Sequence, residues 1–360
     1  MSDRIAVTYH VRSDAAAIAA RARTIAVEQS VEMPLEAIDD PIVLRDIVGE
    51  VQSIEDLGNG LFAVRIDLAA ATFGNDAGQL LNMLFGNTSL HEDVVLHDAE
   101  VPAGFSGPHH GIAGLRARVS ASGRALTCTA LKPQGLSPQR LGDLAERFAR
   151  GGIDYIKDDH GLADQAFSHF ADRVRACAEG VGRATQGTGN PTRYLPSLSG
   201  DLDAMRDQSA IARDLGLDCL LIAPIIAGFA NMQTLVREFP DMAFFAHPAM
   251  GGAARIAPEL LIGKLFPLLG ADAVIFPNYG GRFGYTSEAC RRLADNARGG
   301  TLPAMPVPAG GMTVERTPEL LDFYGADAML LIGGNLLLAH GRLTEATASF
   351  TRAVAQHTYR

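Results

Sequence analysis

The most unusual chemistry in the sequence lies at residues 151–160, where an apolar, strand-like run ends in Lys157, Asp158, Asp159 and His160. A lysine beside potential metal ligands is unexpected, because an ammonium group repels a cation. If Lys157 instead loses its proton and adds CO2, the resulting carbamate is anionic. With Asp159 and His160 it could then hold a hard ion such as Mg2+. The alternative is a solvated Lys–Asp pair at a strand end, which contributes about 0–1 kcal/mol to stability.

Composition restricts the class of protein. The chain has 360 residues, 47% of them hydrophobic, and a net charge of −10. That length suits a barrel with a small additional domain. The negative charge, the sparse aromatic residues and the absence of tryptophan argue against nucleic-acid binding. Membrane association is not expected, because the N-terminal residues lack the long apolar core of a signal peptide and no run of about 20 apolar residues is present. Four widely separated cysteines without metal-site spacing indicate buried, reduced thiols in a cytoplasmic protein.

Strand-like runs and helical patterns alternate along the C-terminal two thirds of the chain. The runs are residues 125–131, 153–156, 192–195, 219–223, 242–246, 273–276, 305–307 and 328–332. The helical patterns between them include residues 138–150, 164–179, 201–215, 258–269 and 286–297. Each run is short, continuous and bounded by Gly, Pro or Asp, as in strands buried on both faces. Eight such units predict a (β/α)8 TIM barrel, and a doubly wound open sheet is the alternative.

The N-terminal part has a different pattern. Strand-like residues 5–10 and 61–68 alternate there with helical residues 15–29 and 78–86. This predicts a small ferredoxin-like α+β domain of the split-βαβ kind. We therefore expect an N-terminal domain over residues 1–118 and a barrel domain with a C-terminal helix over residues 119–360. The linker is expected near residues 106–111.

Polar residues follow the predicted barrel strands, where a barrel enzyme carries its chemistry. Lys132 follows the first strand, the Lys157–His160 run ends the second, and His247 follows the fifth. Lys132 could move a proton in a cation-lined cleft or could be a solvated rim residue. His247 could act in catalysis or could be a buried, satisfied histidine.

Two glycine pairs follow the seventh and eighth strands: Gly310-Gly311 and Gly333-Gly334. Glycine allows backbone N–H groups to approach a phosphate closely, and this is the usual phosphate site of a barrel. Either pair alone could simply form a tight turn. Two pairs at adjacent strand ends favour phosphate binding.

Together, Thr129 to Pro133, Gly151 to Asp159 and the glycine pairs resemble the large subunit of ribulose-bisphosphate carboxylase (RuBisCO). The similarity runs over nearly the whole chain and includes Phe85-Gly86-Asn87. The resemblance implies a carbamylated Lys157 that binds Mg2+ with Asp159. It also implies that Lys132 moves protons at the enolised carbon.

The resemblance assigns further residues to the site. Gly311, Gly333 and Gly334 would hold one phosphate, and His247 would contact hydroxyl groups of a phosphorylated sugar. Asn87, with Glu28, would reach the site from the first domain of a neighbouring subunit. A homodimer with a shared active site is therefore implied.

Two departures from the family pattern affect the metal and CO2 sites. His160 stands where the family has a glutamate ligand, and a neutral imidazole is a softer ligand for Mg2+ than a carboxylate. Either His160 still binds the metal, or water or another group replaces it. Gln134 stands where the carboxylase has its second lysine, which weakens the assignment of carboxylation.

The second phosphate site of the family is dismantled. Pro248, Ile275 and Ala309 stand where RuBisCO has an arginine, a histidine and a serine. The mobile loop after the sixth strand is shortened, and Arg282 is its nearest cation. A bisphosphate would leave one dianion without partners. The chain thus resembles a type IV, RuBisCO-like protein that does not fix CO2.

Three functions remain open at this stage. We favour a lyase that decarboxylates a phosphorylated 3-oxo sugar acid, as in apionate catabolism, because Arg282 and the loss of the glutamate beside Asp159 suit it. The alternative is an enolase or isomerase of a methylthio-ketose phosphate in methionine salvage, with Ile275 and Ala309 beside the methylthio tail. A third reading is a non-catalytic, ligand-binding relic.

Overall fold

The computed structural model describes residues 3–100, 102 and 104–359. Contacts divide the chain into two units. The first comprises Met1–Ser106 with Met250–Leu265, and the second comprises Gly107–Ala249 with Phe266–Arg360. The domain boundary expected at residue 118 stays a prediction. No helix among the described residues is long and apolar enough to cross a membrane.

The first unit contains a four-stranded antiparallel sheet in the order β2-β3-β1-β4. Its strands are β1 (Arg4–Arg12), β2 (Glu50–Gly58), β3 (Leu61–Ala69) and β4 (Val94–Ala99). Its helices in residues 3–100 are α1 (Ile18–Glu28), α2 (Pro41–Asp46) and α3 (Ala77–Phe85), with 3-10 turns at Leu35–Ala37, Ala70–Thr72 and Asn87–Leu90. The order of elements and strands is that of a ferredoxin-like domain, as the sequence predicted.

The sequence missed two strands of this sheet, β2 and β4. β3 alternates between buried and less buried positions over most of its length, so its period of two is visible in the sequence. β2 is exposed along nearly its whole length and therefore shows no such alternation. It is defined by its antiparallel pairing with β3, from Glu50 opposite Asp67 to Gly58 opposite Leu61.

The second unit is a closed barrel of eight parallel strands. They are β5 (Leu126–Leu131), β6 (Tyr155–Asp158), β7 (Arg193–Leu195), β8 (Cys219–Ile222), β9 (Ala243–Ala246), β10 (Ala273–Pro277), β11 (Met305–Ala309) and β12 (Met329–Leu331). The strand order runs from β7 through β6, β5 and β12 to β8. Hydrogen bonds from Leu198 N to Leu221 O (2.8 Å) and from Leu221 N to Pro196 O (2.9 Å) close it. The predicted TIM barrel is confirmed, and the open sheet is excluded.

Helices connect and surround the strands. In chain order they are α4 (Gly111–Arg118), α5 (Pro138–Arg150), α6 (Phe170–Thr188), α7 (Leu202–Asp214), α8 (Pro224–Ala227), α9 (Phe229–Glu238), α10 (Pro258–Leu260), α11 (Phe266–Leu268), α12 (Ser287–Arg298), α13 (Thr317–Tyr324), α14 (Gly334–Leu337) and α15 (Leu343–Ala355). A π-helical turn, Leu261–Leu265, joins α10 to α11, and a 3-10 turn, His340–Arg342, precedes α15. α10 and the π turn belong to the first unit.

Two helix predictions need correction, and one helix was missed. The helix predicted from residue 164 begins at Phe170, because the Asp164 carboxylate accepts a hydrogen bond from Phe170 N (2.7 Å) and the preceding residues form a loop. The helix predicted over residues 258–269 is interrupted by the π turn. α4 was not predicted, because its short sequence has no marked apolar face.

The core of the barrel consists of alternate residues from all eight strands. Cys128, Tyr155, Phe245 and Met305 belong to this one buried cluster. Because side chains alternate along a strand, the residues two positions beyond these also face inward, at the carboxyl end of the barrel. All four cysteines are buried, and none forms a disulfide in the described part of the chain.

Candidate active site

β5 and β6 bring Lys132, Lys157 and Asp159 together. The two strands pair in parallel, with Ala130 opposite Lys157. Lys132 and Asp159 each lie two positions further along and so face each other across the strand ends. The Lys132 Nζ atom lies 2.6 Å from Asp159 Oδ2, and its side chain is 39% exposed. A partly exposed amine thus stands at the carboxyl rim of the barrel beside a carboxylate.

Lys157 lies inside the barrel mouth, two positions after the core residue Tyr155. It is only 3% exposed, and its Nζ atom donates a hydrogen bond to the carbonyl oxygen of Asp158 (2.8 Å). Burial in the barrel lowers the pKa of Lys157, because an ammonium ion loses its hydration there. An unprotonated amine is the form of lysine that can add CO2.

The Asp159 carboxylate has one oxygen without a conventional partner. Burial by itself would raise its pKa, but the neighbouring His160, the ion pair with Lys132 and the charge of Lys157 hold that pKa well below its usual range. Oδ1 is buried, and although His160 Nδ1 lies 3.1 Å away, no hydrogen bond of normal geometry reaches it. A buried anionic oxygen of this kind suits a cation.

The residues at this position fit Mg2+ if Lys157 is carbamylated. Among the described residues, no three His, Cys, Asp or Glu side chains are gathered as an ordinary metal site. Asp159 and His160 therefore need a further anionic ligand, and an unmodified lysine could not serve. A carbamate on Lys157 would supply the missing oxygens.

His247 follows β9 and stacks on His160. The ring centroids lie 4.1 Å apart at an interplanar angle of 13°. Burial, reinforced by the charge of Lys157, lowers the pKa of His247 to about 2. The backbone N–H of Ala249 donates to His247 Nδ1 (3.1 Å), so the neutral ring carries its proton on Nε2. His247 can therefore offer one N–H donor.

A buried network behind the rim holds the loop that carries Asp159, and the sequence analysis missed it. The Asp158 carboxylate is fully buried and accepts hydrogen bonds from Arg173 Nε (3.1 Å), Tyr194 OH (2.7 Å) and Ser197 N (3.1 Å). Arg173 also donates to the carbonyl of Ala163 (2.7 Å). A fully buried arginine leaves no signal in a sequence, because arginine is ordinarily exposed.

The predicted phosphate glycines lie on neighbouring strands, because Ala309 of β11 pairs with Leu331 of β12. Gly310 and Gly311 have φ values of +80° and +66°, which favour glycine. A Cβ atom on Gly311 would lie 2.5 Å from the Cα atom of Gly281. The turn after β10 thus packs directly on the predicted phosphate turn. The repeated Gly-Gly at 280–281 was the available sequence signal for this contact.

The second glycine pair opens the short helix α14. Gly334 is exposed and is the first residue of α14, and Gly333 precedes it. The backbone N–H groups at the start of a helix are without intrahelical partners. Both glycine pairs thus place backbone groups, without side chains, at the carboxyl end of the barrel. Phosphate binding by these groups stays a prediction.

Arg282 and Gln134 lie in loops at the same rim. Arg282 is exposed, and its guanidinium lies 4.8 Å from the centre of the Phe283 ring. The Phe283 ring in turn lies about 3.9 Å from where a Gly310 Cβ would be. Gln134 Nε2 packs against Gly161, next to His160. No contact of Arg282 with Lys132 or Asp159 is found among the described residues.

Ile275 and Ala309, proposed from the sequence as the wall of an apolar pocket, belong to the barrel interior. Ile275 is 3% exposed and is part of the core cluster, and Ala309 packs against that cluster.

Asn87 and Glu28 lie in the first unit. The Asn87 amide nitrogen donates to Glu28 Oε1 (3.0 Å) and Glu32 Oε1 (2.7 Å). These three residues help to line a cavity of about 150 Å³. Glu32 was not identified from the sequence, because an exposed glutamate after a helix carries no distinctive pattern.

The chain is similar to known proteins over its full length. Residues 111–274 match the catalytic domain of the ribulose bisphosphate carboxylase large chain. The chain is 58% identical to the 5-methylthioribulose-1-phosphate isomerase of Rhodospirillum rubrum, covering 99% of this chain and 97% of that protein. It is 54% identical to ribulose bisphosphate carboxylase-like protein 1 of Rhodopseudomonas palustris, covering 99% of each.

Solved structures give the same relationship. A RuBisCO-like protein from Rhodopseudomonas palustris superimposes with a TM-score of 0.93 at 50% identity and 100% coverage of both chains. Another, from Alicyclobacillus acidocaldarius, gives a TM-score of 0.89 at 28% identity, covering 99% of this chain and 93% of that one. The chain therefore belongs to the RuBisCO large-chain family, within its RuBisCO-like group. It is an enzyme of the non-carboxylating kind that the departures at Gln134 and Pro248 predicted.

Proposed function

We propose that this protein isomerises 5-methylthioribulose 1-phosphate through an enediolate. The observation that carries the proposal is the 58% identity, over 99% of the chain, to a relative of that name. This supports the methylthio-ketose alternative better than the 3-oxo acid decarboxylase that the sequence favoured. Isomerisation through an enediolate removes a proton from the carbon beside the carbonyl and returns one to the former carbonyl carbon, and the same rim residues can serve both transfers.

A second candidate is the enolase reaction on 2,3-diketo-5-methylthiopentyl 1-phosphate. A relative from Geobacillus kaustophilus with that name is 32% identical, covering 81% of this chain and 78% of that protein. Both substrates are methylthio-ketose monophosphates, and both reactions begin with proton removal beside a carbonyl. The lower identity places the enolase second.

Lys132 is the group that we assign to proton transfer. It is the partly exposed amine of the rim, and Asp159 holds its Nζ atom in place at 2.6 Å. Lys132 would first take the proton from the carbon beside the carbonyl, as the base. It would then return that proton to the enediolate, as the acid.

The neighbouring groups would orient the substrate. Gly310, Gly311, Gly333 and Gly334 would hold the single phosphate by backbone N–H groups. His247 would donate its Nε2 proton to a substrate oxygen, since its neutral tautomer is fixed by the Ala249 N–H. Arg282, exposed in the loop beside Gly310, would contribute positive charge near the phosphate.

The proposed cofactor is Mg2+, held by Asp159, His160 and a CO2-derived carbamate on Lys157. Bound there, the ion would stabilise the negative charge that develops on the enediolate oxygens. The buried, orphaned Oδ1 of Asp159 supports this assignment.

The proposed assembly is a homodimer in which Asn87 completes the site of the neighbouring subunit. The proposed partner is a small phosphorylated sugar, without nucleic acid or membrane. Location in the cytoplasm stays a prediction.

The test is NMR of the purified protein with Mg2+, bicarbonate and each of three substrates in D2O. Isomerised product with deuterium at a carbon beside the carbonyl, from 5-methylthioribulose 1-phosphate, is the expected result. Turnover of only the diketo phosphate would select the enolase. CO2 release from a phosphorylated 3-oxo sugar acid, without turnover of either methylthio compound, would support the decarboxylase hypothesis instead.

A further inference from the structure

The Asn87 side chain is held by two carboxylates in a way that fixes its orientation. Its amide nitrogen lies 3.0 Å from Glu28 Oε1 and 2.7 Å from Glu32 Oε1. Ionised carboxylates only accept hydrogen bonds, so the NH2 group of Asn87, and not its carbonyl, must face them. Both N–H donors are then used, and the carbonyl oxygen Oδ1 points away from the pair.

The backbone on both sides of this contact is also fixed. Gln29 is 2% exposed and connects the end of α1 to the turn that carries Asn87. Its Nε2 donates to Met83 O (2.7 Å), and its Oε1 accepts from Thr88 N (3.2 Å). A Cβ atom at Gly86 would lie 2.6 Å from Asn82 O, so only glycine fits before Asn87. The Asn87 main chain therefore has little freedom relative to α1.

Glu32 has the more unusual conformation of the two carboxylate residues. Its φ is +52°, in the left-handed region that residues other than glycine rarely occupy. Its side chain is exposed, yet it makes the shorter of the two bonds to Asn87. A glycine would relieve the backbone but would remove the carboxylate.

We propose that Glu32 is a positioning residue that, with Glu28, presents Asn87 Oδ1 as a hydrogen-bond acceptor for a hydroxyl group of the sugar phosphate. No donor to Oδ1 is found among the described residues, and the exposed Asn87 borders the 150 Å³ cavity. The proposal rests on the proposed function in requiring that Asn87 serves a substrate site. It adds that the site binds a hydrogen-bond donor of the substrate. It also adds that Glu32 determines whether the carbonyl or the NH2 end of the Asn87 side chain meets that donor.

Steady-state kinetics of E32A, E32Q, N87A and the double variant test the coupling. E32A is expected to lower kcat/KM about tenfold, as for loss of a charge-assisted hydrogen bond. E32Q, whose carbonyl can still accept from Asn87, should stay within about threefold of wild type. In the N87A background, E32A should not lower kcat/KM any further, because Glu32 acts only through Asn87. E36A, at a nearby exposed glutamate, is the matched control.

Side-chain amide NMR with 15N-asparagine gives a readout independent of turnover. The Asn87 NH2 signals, assigned as those lost in N87A, should be protected from hydrogen exchange in wild type and E32Q. They should shift and lose protection in E32A but not in E36A. If E32A leaves these signals unchanged, or lowers kcat/KM by the same factor in N87A as in wild type, the proposal is wrong. If the amide responds as expected while 5-methylthioribulose 1-phosphate is not turned over, the proposed function fails and the orientation of Asn87 stands.

Discussion

At the scale of single residues, the site depends on two lysines in contrasting environments. Lys132 is 39% exposed and paired with Asp159, whereas Lys157 is 3% exposed and hydrogen-bonded to a backbone carbonyl. The exposed amine can meet a substrate directly, whereas the buried one is almost completely shielded from solvent. The two lysines therefore suit the separate roles proposed for them, proton transfer for Lys132 and metal binding for Lys157, and these roles can be tested separately.

Replacing Lys132 by methionine should lower kcat by about 10²–10⁴, because the proton carrier is lost. The measurement is the initial rate of isomerisation at saturating substrate. The chain has three lysines, and K264M is the matched control, since Lys264 pairs with Asp98 (2.6 Å) in the first unit. An equal loss in both variants would mean that lysine replacement damages the fold and not the chemistry.

K157M should abolish activity and the carbamate together while the protein stays folded. Methionine is close to lysine in length and has no amine to desolvate, so burying its side chain at this position should not destabilise the fold. With 13C-bicarbonate and Mg2+, 13C NMR should show a carbamate signal in wild type and K132M but not in K157M. A signal that persists in K157M would assign the carbamate elsewhere.

At the scale of elements, the strand ends and their turns form the proposed phosphate site. Gly311 lies against Gly281, so the turns after β10 and β11 can come together only while both positions lack a Cβ atom. Gly325 has a similar φ of +77°, but nothing lies within 4 Å of its Cβ position. It precedes β12 and so lies at the opposite end of the strands from the site.

This pair of glycines gives a controlled prediction. G311A and G325A should each lose about 1–2 kcal/mol of unfolding free energy from the left-handed backbone. G311A should lose more because of the clash, and its KM for the phosphorylated substrate should rise about tenfold as phosphate hydrogen bonds are lost. Urea unfolding and steady-state kinetics measure the two effects. An unchanged KM in G311A would remove this turn from the phosphate site.

The sheet of the first unit contains a stacked histidine pair. His10 on β1 and His97 on β4 have ring centroids 3.6 Å apart at 13°, where a β-bulge shifts the register of the two strands. Burial, together with the charge of His97, lowers the pKa of His10 below its ordinary value of 6.5. The folded protein therefore binds fewer protons here than the unfolded chain once the pH falls below that value.

Stability should accordingly be lost as the pH falls from 6.5 through the lower, folded pKa of His10. Urea unfolding at pH 7.5, 6.0 and 5.0 should show a smaller loss in H10N than in wild type. The variant H91N, at an exposed histidine of the same unit, should keep the wild-type pH dependence. If the unfolding free energy falls with pH equally in wild type and H10N, the pKa of His10 is not lowered by the fold.

At the scale of the whole molecule, the proposed dimer predicts complementation between two strongly impaired variants. K132M keeps Asn87, and N87A keeps Lys132. Random exchange of subunits puts one of each in about half of the dimers, and each mixed dimer has one complete site. Activity should therefore return to about a quarter of the wild-type value.

The measurement is the rate after mixing under conditions in which mass spectrometry shows mixed dimers. Mixing either variant with itself provides the baseline. Mixed dimers without recovered activity would place Asn87 and Lys132 in the same subunit's site or remove Asn87 from catalysis.

The sequence by itself determined the barrel and most of the residues at its rim. Side chains alternate along a strand, so the residues two or four positions after an inward-facing core residue also face inward, at the carboxyl end. Lys157 and Asp159 follow the core residue Tyr155 in this way, and His247 follows Phe245. The strand runs are buried on both faces and so are visible as apolar segments. The choice among reactions on a phosphorylated ketose was not determined in this way, because it depends on contacts with a substrate that no periodicity encodes.

Only the tertiary structure decided how the site residues are held. The buried Arg173–Asp158 pair and the two carboxylates on Asn87 join segments that are distant in sequence. The stacking of His160 on His247 does the same. The exposed strand β2 likewise became recognisable only through its partner β3. A sequence pattern reports the burial of its own segment, whereas these features arise from a second segment that the fold brings alongside.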